Sequence, residues 1–249
     1  MLVAQRQDRI LEILDQAGTV AAADLSDALD VSTATIRRDL TRLELAGTVE
    51  RIHGGARLVT QESDFAEVME RDVAAKEKIA EAAAGLVNDG DIVLLDIGTT
   101  THRIAQKLLG RHVTVVTTSL AVIDTLREDT AAQLVAIGGV LRRNFRSFVG
   151  PLALDGLATI RADVAFLSCT GVRDDGSIVD DISDEAVVKK ALMSAADRVV
   201  LVATAGKFPG TGSLRIGNVA EIDGIITETR AKEAPLALAA RAGREVITV

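Results

Sequence analysis

Residues Val31 to Ala56, VSTATIRRDLTRLELAGTVERIHGGA, restrict the fold more than any other stretch of the chain. Ile36, Leu40 and Leu43 recur at i, i+4 and i+7, the spacing of one buried helical face. Ser32 stands where an N-cap is needed. At about 100° per residue, Ala34, Arg37, Arg38, Thr41 and Arg42 fall on the opposite side, so the helix turns its guanidinium groups outward. A second helix is predicted just ahead of it, over Ala22 to Leu29, with only Asp30 and Val31 between it and Ser32. A helix-turn-helix requires a turn that short. Gly47 suits the residue that stops the longer helix. Thr48-Val49-Glu50-Arg51-Ile52 is β-prone and His53-Gly54-Gly55 turns or ends it, which adds a small basic wing. A support helix over Gln5 to Ala17 comes first, with Ile10, Leu11, Ile13 and Leu14 near one face and Gly18 at its end.

Charge bounds what this module can touch. A net charge of −8 argues at first against nucleic acid, because neutralising phosphates takes positive charge. The distribution says otherwise. Residues 1–57 hold seven Arg and no Lys against nine acids, yet Ser32 to Arg57 alone holds Arg37, Arg38, Arg42, Arg51 and Arg57 against Asp39, Glu44 and Glu50. The positive field is local, so one head binds modestly and two or more copies are needed for useful affinity. With no Trp, no Tyr and five Phe, the chain lacks the stacking platforms of single-strand binders, and duplex DNA is the better target. Candidate contacts to that DNA are Ser32, Thr33, Thr35, Arg37, Arg38 and Arg42 on the helix and Arg51 on the wing. His53 either touches a DNA phosphate or only orders the turn. Paired heads match repeated half-sites, so a homo-oligomer, dimer or tetramer, is expected.

TIRRDL, the following Leu-Glu-x-x-Gly and the closing RIHGGA resemble the N-terminal module of DeoR-type bacterial transcriptional repressors. The resemblance implies a winged helix-turn-helix DNA-binding domain, here residues 1–57. Residues 58–75 read as a linker and the start of a connecting helix, with Gln61, Glu62, Ser63 and Asp64 in the polar link. A helical pattern then runs from about Glu67 to Leu86. Residues 76–249 form the second domain. Beyond Asp91 short β-rich runs alternate with helical ones, which points to an α/β domain with a mostly parallel sheet covered by helices. The strand candidates are Ile92 to Asp96, Val113 to Thr117, Gln133 to Ile137, Val164 to Ser168, Val199 to Ala203, Gly224 to Thr227 and Glu245 to Val249. In such sheets ligands bind outside the carboxyl ends of the strands.

The first strand exit, DIVLLD-IGTTT-HRIAQKLLG, leads through Gly98 into an amphipathic helix. Gly98 lets backbone amides approach an anion, and Thr99, Thr100 and Thr101 offer hydroxyls at a positive helix end. The stretch is a phosphate cradle or an ordinary capped turn; it is neither a Walker loop nor a dinucleotide fingerprint. Thr117-Thr118-Ser119 ends the second strand. Gly138-Gly139 ends the third, followed by a loop with Arg142, Arg143 and Arg146, where an arginine either pairs bidentately with phosphate or is simply solvated. The fourth strand leaves through Ser168-Cys169-Thr170-Gly171. After it, ISDEAVVKKAL puts Glu185 and Lys189 on one helical face, as site groups or as an exposed i, i+4 pair. Lys207 lies just past the fifth strand.

The order GTTT, TTS, GG, the Asp-x-x-Phe strand, EAxxKKA and GKF is similar to the sensor domain of the DeoR family, whose fold in turn resembles ribose-5-phosphate isomerase. That resemblance implies a phosphorylated sugar or polyol as effector. The phosphate would sit on Gly98, Thr99, Thr100 and Thr101, while the sugar faces Asp96, Thr170, Glu185 and Lys207. Thr117, Ser119, Gly138, Gly139, Arg146 and Gly171 complete the implied effector site. Two departures bear on which sugar fits: the family commonly has Asp-x-Ser-Lys-Phe where this chain has Thr204 to Phe208, and Thr-Asn-Ser where it has Thr117 to Ser119.

The implied function is a DNA-binding regulator, a repressor of a carbohydrate-metabolism operon, with no cofactor. A rival is a sugar-phosphate isomerase-like enzyme with an accessory N-terminal domain; another is an N-terminal module that binds a protein partner. An isomerase needs a carboxylate base close to the sugar's C1 and C2; the isomerases that the fold resembles place an acidic cluster after the fourth strand, where this chain has SCTGV, and Asp174 and Asp175 read as surface residues of a Gly176 hairpin. Glu185 and Lys207 remain, so a phosphate and hydroxyl site can persist without turnover. His102 and His112 lack the clustering of metal ligands, so no metal is expected. Cys169, the single cysteine, reads as a buried small apolar residue. No apolar run nears about 18 residues and the N-terminus is quickly polar, which predicts neither a membrane span nor a secretory signal and so a cytoplasmic chain.

Overall fold

A computed structural model describes residues 3–17, 19–45, 48–52, 55–58 and 65–249. The chain divides into two compact units, Met1–Asp64 and Phe65–Val249. The first unit runs α1 (Val3–Ala17), β1 (Thr19–Ala21), α2 (Ala22–Leu29), α3 (Thr33–Leu45), β2 (Val49–Ile52) and β3 (Gly55–Leu58). Ile10 and Leu14 of α1, Leu25 of α2, and Ile36, Leu40 and Leu43 of α3 bury one shared core with Val49 and Ala56. The turn between α2 and α3 is short because Asp30 takes a left-handed conformation (φ 50°) and its amide bonds the Ser26 carbonyl. Ser32 caps α3 as its position suggests: the Thr35 amide donates to the Ser32 hydroxyl at 3.2 Å.

The wing is larger than the sequence indicates. β2 and β3 pair antiparallel, and Thr19–Ala21 adds a third strand in the order β1-β3-β2. Gly55 makes the pairing possible, since a Cβ there would lie 2.3 Å from the Val20 carbonyl oxygen. The expected roles of Gly18, Gly47, His53 and Gly54, and the link through Asp64, fall on residues outside those described.

The second unit begins at Phe65 rather than at residue 76. The expected single helix from Glu67 is two, α4 (Phe65–Met69) and α5 (Val73–Ala84), separated where Asp72 adopts φ 50°. The break leaves the Val68 carbonyl open, and the Arg71 amide and the Lys76 ammonium both donate to it. The remaining elements are β4 (Ile92–Leu95), α6 (Thr99–Lys107), β5 (Thr114–Thr117), α7 (Leu120–Leu126), β6 (Gln133–Ala136), β7 (Val140–Arg142), β8 (Ser147–Val149), α8 (Pro151–Ala158), β9 (Ala162–Leu167), β10 (Gly171–Val172), β11 (Ser177–Asp180), α9 (Ser183–Ser194), β12 (Ala196–Val202), β13 (Leu214–Asn218), β14 (Gly224–Thr227), α10 (Glu233–Arg241) and β15 (Glu245–Thr248).

Seven strands form one sheet in the order β15-β14-β12-β9-β4-β5-β6, parallel throughout. These are the seven strands that the hydrophobic runs predict. Both faces are covered: Leu94 belongs to one apolar core and its neighbours Val93 and Leu95 to the other, the burial expected of parallel strands. Two features were not legible. The stretch that reads as a basic loop is a hairpin, β7–β8, and the expected Gly176 hairpin, β10–β11, is extended by β13 into a small separate sheet. Among the described residues no helix is long and apolar enough to cross a membrane.

Candidate functional site

The first unit offers one basic face. Ile36, Leu40 and Leu43 point into the core, so the geometry of the helix leaves Arg37, Arg38, Thr41 and Arg42 exposed, where they line a shallow groove together. Asp39 alone among the charged residues of α3 is buried, and it pairs with Arg6 of α1. That pair ties the exposed helix to its support. The hydroxyls expected to contact DNA also shape the helix entry: Ser32 and Thr35 bond each other at 2.9 Å, and Thr33 donates to Ser26 at 3.3 Å. Arg51 lies on β2, while His53 is outside the described residues.

In the second unit the carboxyl edge of the sheet gathers a buried polar cluster. β4 delivers Asp96 and β9 delivers Ser168. Oδ2 of Asp96 accepts from the Ser168 amide and hydroxyl, each at 2.8 Å, and from Nζ of Lys189. Lys189, on α9 and 2% exposed, also donates to the Ser168 hydroxyl at 2.8 Å and lies 3.8 Å from Asp180 of β11. Burial works against its charge, but Asp96 and Asp180 outweigh burial and raise its pKa. Burial likewise raises the pKa of Asp180 despite the attraction of Lys189. Glu185, one turn before Lys189, is 1% exposed; its Oε1 accepts from Ser147 and, at 2.8 Å, from Arg142, yet burial still raises its pKa.

Besides the Thr227 hydroxyl at the end of β14, three polar atoms at this edge have no partner: Oδ1 of Asp96, Oε2 of Glu185 and Oγ1 of Thr118. Each belongs to a side chain that is almost completely buried, where an unmade hydrogen bond costs about 1–3 kcal/mol. Two acceptors and one hydroxyl suit the hydroxyl groups of a polyol. Alongside, Gly98 takes φ +119° at the start of α6, a conformation that favours glycine. The Thr101 hydroxyl closes this turn by donating to the Gly98 carbonyl at 3.0 Å, so its donor is engaged within the fold. Thr99 and Thr100 make no side-chain hydrogen bond among the described residues. Lys76 is lowered to about 8, first by burial and then by the nearby Arg103, Lys207 and Arg71, against the opposing pull of Asp72.

Several residues of the implied effector site have structural partners. Thr117 donates to the Leu95 carbonyl at 2.7 Å and accepts from the Ser119 amide at 3.0 Å, which locks the strand exit. The Ser119 hydroxyl caps α7 at the Val122 amide, 3.4 Å away. Thr170 donates across to the carbonyls of Val179, at 3.1 Å, and Thr211, at 3.2 Å. Arg146 pairs with Asp124 and lies 5.6 Å over the Phe65 ring, not in the cluster. Gly139 and Gly171 admit close chain passages: a Cβ would sit 2.5 Å from the Val149 oxygen or from the Gly210 backbone. Gly138 is exposed. Lys207 ends a short 3-10 turn, Ala205–Lys207.

The sequence reading names Lys189, Ser168, Thr118 and Arg142 at strand exits or on one helical face, but the implied effector site leaves them out, and Asp180 is not singled out at all. Lys189 had a signal, its spacing from Glu185, but charged pairs at that spacing are ordinarily solvated. Asp180 stands in an acidic run, DDISDE, with nothing to separate it from a surface turn. Asp174 and Asp175 do occupy one: both are exposed, and Asp175 accepts from the Ser177 amide at 2.9 Å. Cys169 is buried, and burial pushes its thiol up to about 12. His102 keeps Nδ1 near Thr125 Oγ1, at 3.1 Å, and the Ala121 carbonyl, at 3.3 Å; burial lowers its pKa. His112 is exposed.

Comparison with known proteins follows the two units. Residues 6–62 match the DeoR-like helix-turn-helix domain and residues 71–229 the DeoR C terminal sensor domain. The HTH-type transcriptional repressor CsqR of Escherichia coli (strain K12) is 33% identical over 227 residues, which cover 90% of this chain and 87% of that protein. The glycerol-3-phosphate regulon repressor of the same organism is 30% identical over 231 residues, 92% of each. A solved ribose 5-phosphate isomerase A from Methanocaldococcus jannaschii is similar at a TM-score of 0.41 and 19% identity, over 55% of this chain and 54% of that one.

Proposed function

Because the chain belongs to the DeoR family of DNA-binding transcriptional regulators, we propose that it represses a carbohydrate-metabolism operon and that a phosphorylated sugar or polyol controls its hold on operator DNA. The observation that carries the reading is the buried carboxyl edge, where unpartnered Asp96, Glu185 and Thr118 atoms lie beside a helix start with two unengaged threonine hydroxyls. Thr99, Thr100 and the α6 amides hold the phosphate, with Lys207 and Lys76 balancing its charge. Asp96 Oδ1 and Glu185 Oε2 accept hydroxyls from the carbon chain, and Thr118 bonds another. Arg37, Arg38 and Arg42 enter the major groove, with Arg51 on the flanking backbone. The protein works in the cytoplasm as a homo-oligomer, so that paired heads read repeated half-sites.

One relative's name, the glycerol-3-phosphate regulon repressor, puts a three-carbon polyol phosphate on the list of candidate effectors. Fluorescence anisotropy with DNA from upstream of the regulated operon tests the reading, with glycerol 3-phosphate, ribose 5-phosphate and fructose 6-phosphate as probes. Sequence-specific binding is expected, weakened about 5–150-fold by at least one probe. No specific binding refutes the regulator; specific binding indifferent to every probe refutes the effector.

A second reading, aldose–ketose isomerisation, draws on the raised pKa values of Asp180 and Glu185 beside Lys189, since buried carboxylates with such shifts can act as bases. Against it, the Asp96 carboxylate is already held by Lys189 and Ser168. A coupled assay with the same sugar phosphates separates the two.

A further inference from the structure

Phe65 is the first residue of the Phe65–Val249 unit, so whatever fixes its position fixes where the chain departs toward residues 1–64. It is buried and held by two supports. From one side, its amide donates to the Asn144 carbonyl at 3.0 Å, at the tip of the β7–β8 hairpin. Arg146, from the same tip and held by Asp124, lies 5.6 Å over the Phe65 ring. From the other side, His102 of α6 meets the ring edge-on, with centroids 5.9 Å apart and planes at 84°.

Both supports have their other end in the candidate effector site. The strands of the hairpin carry Arg142 and Ser147, which grip Glu185 Oε1. Its second strand is also stitched to the exit of β5: the Phe148 amide donates to the Thr118 carbonyl at 2.8 Å, and the Leu120 amide to the Arg146 carbonyl at 2.7 Å. The other support, α6, starts at the Gly98 cradle and reaches His102 within one turn. A ligand with its phosphate on the cradle and a hydroxyl on Glu185 therefore touches the root of both supports at once. Packed interiors of this kind switch between discrete arrangements and do not deform smoothly.

We infer that Phe65 is the relay of the regulator: occupancy of the carboxyl edge changes how the hairpin tip and His102 hold its ring, and so changes how the reading head engages DNA. The inference rests on the effector reading proposed above. It accounts for an aromatic residue at this position and for an arginine with φ 54° at the hairpin tip, a backbone cost that the grip on Asp124 and Phe65 offsets.

The test uses the full-length protein, operator DNA and the three sugar phosphates. In the wild type one of them weakens operator binding by about 5–150-fold. Phe65→Leu is expected to keep operator affinity and the thermal shift produced by the same compound, while its effect on operator binding falls below about threefold. Asp124→Asn, which releases Arg146 at a half-exposed site, should reduce the effect partway. A folded Phe65→Leu protein that responds by the wild-type factor overturns the relay and leaves the regulator intact. If Phe65→Leu does not fold, an unchanged factor in Asp124→Asn overturns it. If the wild type answers to none of the compounds, the effector reading fails and the relay with it.

Discussion

A single lysine decides how the sensor interior is balanced. Lys189 sits among Asp96, Asp180 and Glu185 as the one cation buried with them, and Asp96 has its other oxygen unpartnered. Removing one member of a buried ion pair leaves an uncompensated charge and costs about 3–5 kcal/mol. Lys189→Met should therefore lose about that much stability in urea unfolding, and adding Asp96→Asn should restore more than half of the loss. A loss below about 1 kcal/mol would mean that the pair is solvated. Because the folded pKa of Lys189 is raised above 10.5, its contribution is fully present below that pH and disappears only as pH rises past it. At this scale the sequence is least readable. Thr117, Thr118 and Ser119 look interchangeable, yet backbone register engages the outer two and leaves the middle hydroxyl without a partner. Glu185 and Lys189 show their spacing but not which side of the helix faces the core.

Along one element, α3, neighbouring charges have opposite duties. Arg37 and Arg38 are exposed, whereas Asp39 is buried on Arg6. Replacing both arginines by alanine should abolish sequence-specific DNA binding while changing stability by less than about 0.5 kcal/mol. Asp39→Ala should instead destabilise the Met1–Asp64 unit, because Arg6 loses its partner, and lose DNA binding by unfolding, seen as helical circular dichroism lost at a lower temperature than in the wild type. Retained specific binding by the double arginine variant would remove α3 from the interface. Elements are where the sequence speaks most clearly. The 3.6-residue stripe Ile36, Leu40, Leu43 and the β-rich runs predict α2, α3 and all seven parallel strands. The hairpin β7–β8 escapes because its strands, of three residues each, are too short to show a period. The break between α4 and α5 escapes because Glu70-Arg71-Asp72 holds neither Gly nor Pro.

At the scale of the whole molecule, the two units have separate apolar cores, so calorimetry should resolve two unfolding transitions, with the smaller unit melting first. An effector present at 100 times its Kd should stabilise the larger unit by about 2.7 kcal/mol and leave the smaller transition where it was. One merged transition that moves as a whole would contradict two independent cores. The strand order carries a further consequence. β4 lies between β5 and β9, and Asp96 at its end waits for Lys189, which arrives much later in the chain. During translation at about 5–20 residues per second, the DNA-reading head can leave the ribosome complete while the sheet beneath its future regulator still lacks a middle strand. For some seconds within each round of synthesis, the smaller unit can therefore stand folded while the carboxylate of Asp96 still lacks the lysine that balances it.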